Sequence, residues 1–355
     1  MSCIALDRYA ALHAATPHGR GDARPTADQV LLDQQPLGNH WRDKVILITG
    51  GTAGLGAESA RVLHKTGAKI FIVGRDSVKG QRVANAISAA NPDHPAVEVI
   101  EMDQSSLQSV RDGAAEFLRR SGGRLNVLMA NAGIVASPVK ETHDGFEAVF
   151  AINYLAPFLL VQLLAPALLA STRPGFCSRL VVVSSAGHRA SDIDPDMYNL
   201  VGEGYDPSKA YARSKTASIL MANEFERRYG GRGVHALSLN PGIIMDTEIS
   251  RGLPGTPASR RGQYYKMEPL LAQYEKNVEQ GAATQVWAAV AKELEGKGGL
   301  YLDDVQVASE AKHEGHYCLP GWKPWVWNEE MAARLWNDSL DMVGLVGYID
   351  SQISA

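Results

Sequence analysis

Two tyrosine–lysine pairs stand four residues apart in YDPSKAYARSK, residues 205 to 215: Tyr205 with Lys209, and Tyr211 with Lys215. A phenol with an ammonium one helical turn away can exchange a proton with a substrate, because a nearby cation favours the phenolate. A free phenol titrates near pH ~10, and bringing it to neutrality takes about 4 kcal/mol at roughly 1.36 kcal/mol per pH unit. Such a pair faces itself only on a helix. Tyr211 runs into SKTASILMANEFERR, an unbroken helical pattern, whereas Pro207 separates Tyr205 from Lys209. Proline is tolerated in a helix's first turn but not inside it. The spacing therefore predicts Tyr211 and Lys215 on one face, with Tyr205 ahead of the helix.

A second chemistry-bearing cluster lies upstream. The apolar run KVILIT (44–49) leads directly into TGGTAGLG (49–56) and then into a helix-patterned stretch. Gly50, Gly54 and Gly56, with Thr52 and Leu55 in the same turn, permit the tight bend that brings a diphosphate against backbone and helix N-terminus. The next apolar run ends FIVGRD. A dinucleotide fold that prefers NAD usually carries an acid there. Arg75 instead suits a ribose 2′-phosphate, which a guanidinium grips with two parallel hydrogen bonds. Thr52 can add a hydroxyl contact, while the adjacent Asp76 pulls the other way. The expectation is NADP(H).

These clusters need a scaffold, and the sequence supplies one. KVILIT (44–49), AKIFIV (68–73), VEVIE (97–101), LNVLMA (125–130), RLVVVS (179–184) and VHALSL (234–239) are short, near-continuously apolar runs, with GLYL (299–302) a seventh candidate. Helix-patterned segments separate most of them. That alternation predicts an α/β, single-domain, doubly wound Rossmann fold with a parallel sheet of about seven strands. Residues 1–41 read as an N-terminal arm, 42–305 as the domain, and 306–355 as a C-terminal extension holding most of the tryptophans. Within the domain, 242–279 breaks the alternation and reads as a substrate lid. Its Met245, Ile249, Leu253, Tyr264, Tyr265 and Met267 predict an apolar pocket.

Composition narrows the partners. With 45% apolar residues and a net charge of −4, nucleic acid is not an expected ligand. The basic run SRRGQYYK (259–266) reads as a solvated face of the lid. Three scattered cysteines fit a reducing compartment, and no secretory h-region follows the N-terminus, so the expected location is cytoplasmic. The apolar run from Tyr154 carries Pro157 and Pro166 and falls short of the roughly 20 residues a membrane span requires; it reads as a buried helix. His313, His316 and Cys318 lack a fourth ligand at metal spacing, so no metal is expected.

TGGTAGLG, NAG (131–133), SS (184–185), YARSK (211–215) and NPG (240–242) follow one another at plausible gaps. Together they resemble the short-chain dehydrogenase/reductase family over roughly residues 42–305, nearest its retinol dehydrogenase, WW-domain oxidoreductase and protochlorophyllide reductase-like branch. The resemblance implies that Tyr211 is the general acid/base, and that Lys215 depresses its pKa and holds the nicotinamide ribose. Ser185 would bind the substrate oxygen, with Ser184 its positional rival, and Asn153 would hold a water beside the lysine. Asn131, Ala132 and Gly133 would lie on the adenosine side, and Pro241, Gly242 and Thr247 near the nicotinamide. Asp103 matches an adenine-contacting acid, although Asp103 and Ser105 would equally serve as helix caps. The inserted stretch HRASDIDPDMYNLVGEGYDP would wall the substrate cleft. A homodimer through the helices carrying Asn153 and Tyr211 is possible. The function implied is NADP(H)-dependent interconversion of a carbonyl and an alcohol on a lipophilic small molecule. The alternative is a catalytically silent dinucleotide-binding redox sensor or scaffold.

Overall fold

Apolar residues alternate sides along each strand, and that alternation builds two cores. In strand β1 (Val45–Thr49), Val45 and Leu47 point to one side of the sheet, Ile46 and Ile48 to the other, and all four are fully buried. A strand buried on both faces needs helices on both. The computed structural model describes residues 6–14, 16–34, 41–136, 141–199, 201, 205–251, 255, 257–312 and 318–346.

β1 pairs with β2 (Lys69–Gly74), β2 with β3 (Glu98–Glu101), and on its other edge β1 pairs with β4 (Val127–Ala130). The sheet continues through β5 (Ser178–Val183), β6 (Val234–Asn240) and β7 (Leu300–Asp303), all parallel. An eighth strand, β8 (Gln306–Val307), closes the edge antiparallel to β7. The order is β3-β2-β1-β4-β5-β6-β7-β8, so the expected seven strands gain one. The extra strand follows a two-residue turn, Asp304 and Val305, with φ of 51° and 56°. Such a turn usually announces itself with Asn-Gly or Asp-Gly.

On one face lie α1 (Ala27–Asp33), α2 (Gly54–His64), α3 (Ser77–Ala90) and α8 (Ala283–Val290). Across the sheet are α4 (Leu107–Ser121), α5 (Ala156–Ser171), α6 (Pro207–Tyr229) and α9 (Glu329–Met342). Between α6 and α8 runs α7 (Pro257–Met267), inside the segment expected to form a lid.

The apolar run around α5 corrects the sequence reading of its length. Ala148–Ser171 is one continuous helical run of 24 residues, long and apolar enough to cross a membrane, yet 89% of its most apolar window is buried inside the fold. Pro157 falls in the first turn of α5 and Pro166 is absorbed inside it. Burial, not interruption, marks this as a core helix. Within the run, Ala151–Leu155 is a π-helical segment, a feature that often re-aims a side chain at a functional site.

The C-terminal extension packs on this helix pair. Trp336 of α9 lies edge-on to Phe158 at 5.1 Å, and the Tyr154 and Ser339 hydroxyls are 2.7 Å apart. Helix α9 thus lies against α5 and α6, the helices expected to face a second copy.

Candidate active site

Each parallel strand ends on the same side of the sheet, and the order reverses between β1 and β4. In such sheets a ligand crevice opens at that reversal, beyond the carboxyl ends of the strands. A cavity of about 440 Å³ occupies this position. Its lining includes Gly50, Thr52, Gly54, Leu55, Gly56, Arg75, Asp103, Asn131, Ala132, Gly133, Ser185, Tyr211, Lys215, Pro241, Gly242 and Thr247. Every candidate residue except Asn153 is therefore in one place.

The glycine turn is shaped by contact as well as by φ. Gly50 and Gly54 have φ of +65° and +52°, a region that side chains disfavour. A Cβ on Gly56 would lie within 2.8 Å of the Gly50 carbonyl carbon and 2.6 Å of Asn131 Nδ2. Helix α2 then starts at Gly54, and Ala53 at its N-cap offers no side-chain cap. By contrast, Asp76, Ser106, Asp206 and Asn328 cap α3, α4, α6 and α9. The first amides of α2 are thus left free to face the cavity, as a diphosphate requires.

Arg75 is exposed at the end of β2 and lines the cavity. Asp76 also borders it, but its Oδ1 accepts from the Lys79 amide at 2.9 Å, capping α3. Lys79 joins the cavity wall and pairs with Glu248 at 2.6 Å. Asp103 accepts from the Ser105 amide and hydroxyl, while Ser106 caps α4. Neither Asp103 nor Ser105 is the cap, so the Asp103 carboxylate remains on the cavity wall.

Asn131 bridges two strand ends. Its Nδ2 donates to the Thr49 carbonyl at 2.8 Å, and the Asn131 and Ala132 amides both donate to Thr49 Oγ1 at 3.0 Å. Thr49 and Gln285, which donates to Leu55 O and Ser59 Oγ, were not singled out in the sequence. Thr49 opens the glycine motif, but its spacing points to the glycines, and Gln285 carries no motif at all.

The opening pair resolves as its spacing predicts. Helix α6 begins at Pro207 with Asp206 as cap, so Tyr205 precedes it and donates to Glu147 at 3.0 Å. Tyr211 and Lys215 share the inner face, with Lys215 Nζ 5.8 Å from the Tyr211 ring centroid. Lys215 is buried and donates to the Val183 carbonyl at 3.0 Å. Burial pushes its ammonium down to about 8, and burial pushes the Tyr211 phenol up, opposed by a hydrogen bond with Ser185. The expected depression of the phenol by Lys215 is thus not produced by the chain alone. Both groups are desolvated, which weakens the acid and the base alike.

The two serines differ in their partners. Both border the cavity, but the buried Ser184 hydroxyl donates to the Lys215 carbonyl at 2.8 Å, while the Ser185 hydroxyl bonds Tyr211. Gly187, unnoticed in the sequence, lets this happen. A Cβ there would lie 2.8 Å from Tyr211 Cε1 and 3.4 Å from Ser185 Oγ.

Asn153 stands behind the cavity. Its Oδ1 accepts from the Ile134 amide at 2.8 Å, and its Nδ2 donates to Ile134 O and Ser214 Oγ at 2.9 and 3.0 Å. These bonds hold the 131–134 loop beside α6. His188 is fully buried, its Nδ1 2.6 Å from Ser185 O.

Three further expectations need correction. Among its described residues, the stretch after Ser185 contributes no side chain from 188 onward to the cavity; Ile193 and Tyr198 join the core, and Tyr198 stacks on Phe150. Met245 and Ile249 line the cavity, but Tyr264 and Tyr265 do not; Tyr265 bonds the fully buried Glu275. The basic run is not simply solvated, since Arg261 pairs with Asp246 and Glu275, and Arg260 is buried. Leu253, His313 and His316 lie outside the described residues; among those described, no group of three or more His, Cys, Asp or Glu could hold a metal ion.

Comparison with known proteins agrees with this geometry. The family profile described as short chain dehydrogenase matches residues 44–256. The chain belongs to the short-chain dehydrogenase family. It is 84% identical over 342 residues to oxidoreductase calI of Penicillium decumbens, covering 96% of this chain and 99% of that one. It is 33% identical over 304 residues to retinol dehydrogenase 13 of Homo sapiens, covering 85% of each. A solved structure from Mycobacterium paratuberculosis, described as a putative uncharacterized protein, superposes with a TM-score of 0.62 at 28% identity, over 85% of this chain and 93% of that one. Family membership makes the protein an oxidoreductase that binds a nicotinamide dinucleotide.

Proposed function

We propose that the protein uses NADP(H) to interconvert a carbonyl and an alcohol on a lipophilic small molecule, with Tyr211 as general acid/base. One observation carries this reading: the Ser185–Tyr211–Lys215 group and the glycine turn with Arg75 face a single cavity. When bound, the nicotinamide supplies or accepts the hydride. The residues fit that group, because the uncapped amides of α2 suit the diphosphate and Gly133 leaves room beside Lys215.

In reduction, the buried Tyr211 phenol keeps its proton at neutral pH and donates it to the carbonyl oxygen. Ser185 aligns that oxygen through the hydroxyl that already bonds Tyr211. Lys215 remains mostly protonated at pH 7, given its value of about 8, and favours the phenolate left behind. In oxidation the same phenolate removes the alcohol proton.

The 2′-phosphate reading rests on Arg75 at the cavity wall, on Thr52 beside it, and on Asp76 being used as a cap. The substrate class rests on Ile134, Ile152, Ile243, Met245 and Ile249 in the wall, and on a relative named for retinol, a lipophilic alcohol. The test is a fluorescence titration of NADPH and NADH against wild type and Arg75→Ala, followed by turnover on medium- and long-chain aldehydes and aryl ketones. NADPH binding at least tenfold tighter than NADH, lost in the variant, supports the reading. Equal binding refutes the role of Arg75. Tight binding with no turnover across the series favours the sensor or scaffold.

A further inference from the structure

Asp303 is a buried acid to which the mechanism above gives no part. It ends β7 beside Asn240, the last residue of β6, and is only 2% exposed. Its two oxygens accept from Asn240 Nδ2 at 3.1 and 3.2 Å, and Oδ2 also accepts from the Gly321 amide at 3.3 Å. The neighbouring cation, Lys276, is engaged by Asp304 at 2.6 Å instead. On the far side of the Asn240 amide, Oδ1 accepts from the Ala186 amide at 3.1 Å. Ala186 follows Ser185 directly, and in the same turn Ser185 Oγ accepts from the Gly187 amide at 3.0 Å.

A side-chain amide has two nearly isosteric orientations, and only its partners decide between them. An acceptor-only carboxylate at Asp303 forces Nδ2 of Asn240 toward β7, which leaves Oδ1 for Ala186. We propose that Asp303 is a positioning residue: through Asn240 it anchors the Ala186 amide and so holds the Ser185 turn against Tyr211. This rests on the reading of Ser185 and Tyr211 as catalytic residues. The family motifs in the sequence give no hint of it, because Asp303 lies more than 60 residues beyond them in a strand that shows only apolar character. Burial, together with Asp304, raises the Asp303 carboxyl to about 7 against the pull of Lys276 and the amide donors. Both oxygens face N–H donors, which the ionised form fits, and the measurements below are made at pH 8, where that form prevails.

Asp303→Asn keeps the shape but replaces one acceptor by a donor. Whichever way the new amide turns, it meets either Asn240 Nδ2 or the Gly321 amide with an N–H. The swapped pair Asn240→Asp with Asp303→Asn removes that conflict. The carboxylate at 240 accepts from Ala186 and from the new amide at 303, whose oxygen accepts from Gly321.

The experiment compares wild type, Asp303→Asn and the swapped pair by amide exchange at Ala186, resolved to single residues by electron-transfer fragmentation. NADPH titration and turnover of the aldehyde series accompany it. Asp303→Asn is expected to speed Ala186 exchange at least tenfold and to lower kcat about tenfold, because small misplacements of reacting groups are costly. The dissociation constant for NADPH and the KM stay within about threefold of wild type, and the swapped pair restores both exchange and kcat to within about threefold. Unchanged Ala186 exchange in a folded Asp303→Asn protein overturns the proposal. So does a folded swapped pair whose Ala186 stays exposed. If Asp303→Asn does not fold, the swapped pair alone decides. If the wild type reduces none of the aldehydes, the functional reading fails separately, while the exchange data still decide whether Asp303 anchors the turn.

Discussion

Gly187→Ala is the most informative single change, because it adds one carbon at a place where the geometry fixes its consequence. The backbone at Gly187 does not lie in the left-handed region, so alanine is conformationally acceptable and would by itself stabilise the chain by about 0.4–1 kcal/mol. Its methyl, however, would lie 2.8 Å from Tyr211 Cε1 and 3.2 Å from Cδ1. Carbon atoms pack at about 3.5–4.0 Å, so the ring must retreat by roughly 1 Å. A displacement of that size in a reacting group costs about a hundredfold in rate, equivalent to about 2.7 kcal/mol at 1.36 kcal/mol per decade. Overpacking offsets the backbone gain, leaving net stability changed by about 0–2 kcal/mol. The assay is NADPH-dependent reduction of the best aldehyde, with NADPH affinity and the thermal midpoint measured beside it. The expected result is a kcat lowered about a hundredfold with NADPH affinity within about threefold, since Thr52, Arg75 and Lys79 are untouched. A folded variant with kcat within threefold of wild type would refute the placement of Tyr211.

The two serines should part company in the same assay. Ser185→Ala is expected to cost about 10²–10³ in kcat with little loss of stability, whereas Ser184→Ala, which removes the bond to the Lys215 carbonyl, should cost about 1–3 kcal/mol of stability, read by urea denaturation. His188 predicts an acid-side loss of stability. Burial lowers its pKa from 6.5 to about 4, so between those values the unfolded chain binds the proton and the folded one does not. Stability therefore falls as pH drops from 6.5 toward 4, by about 2–3 kcal/mol for this group. Urea midpoints across that range should show a smaller slope in His188→Asn than in wild type; equal slopes would remove His188 as the cause.

The sequence by itself determined the parallel sheet, the glycine turn and which tyrosine and lysine share a helix face. These rest on local rules: near-continuous apolarity for doubly covered strands, φ-permissive glycines, and a proline that confines Tyr205 to the region before α6. Tertiary structure decided what depends on partners far along the chain. That Asp76 caps α3 while also bordering the cavity emerged only from the fold. Ser184 and Ser185 are adjacent and chemically identical, and only the fold engages one hydroxyl with the Lys215 carbonyl and the other with Tyr211. Asn153 was legible from a family motif, but its bonds to Ile134 and Ser214, which tie the 131–134 loop to α6, were not. β8 follows a turn without the usual residues, so no local signal marked it. Asp303 and Asn240 meet because two strands 63 residues apart lie in register. Local conformation is encoded by neighbours in sequence, but the choice among competing hydrogen-bond partners is made only when the folded chain brings them within 3 Å of one another.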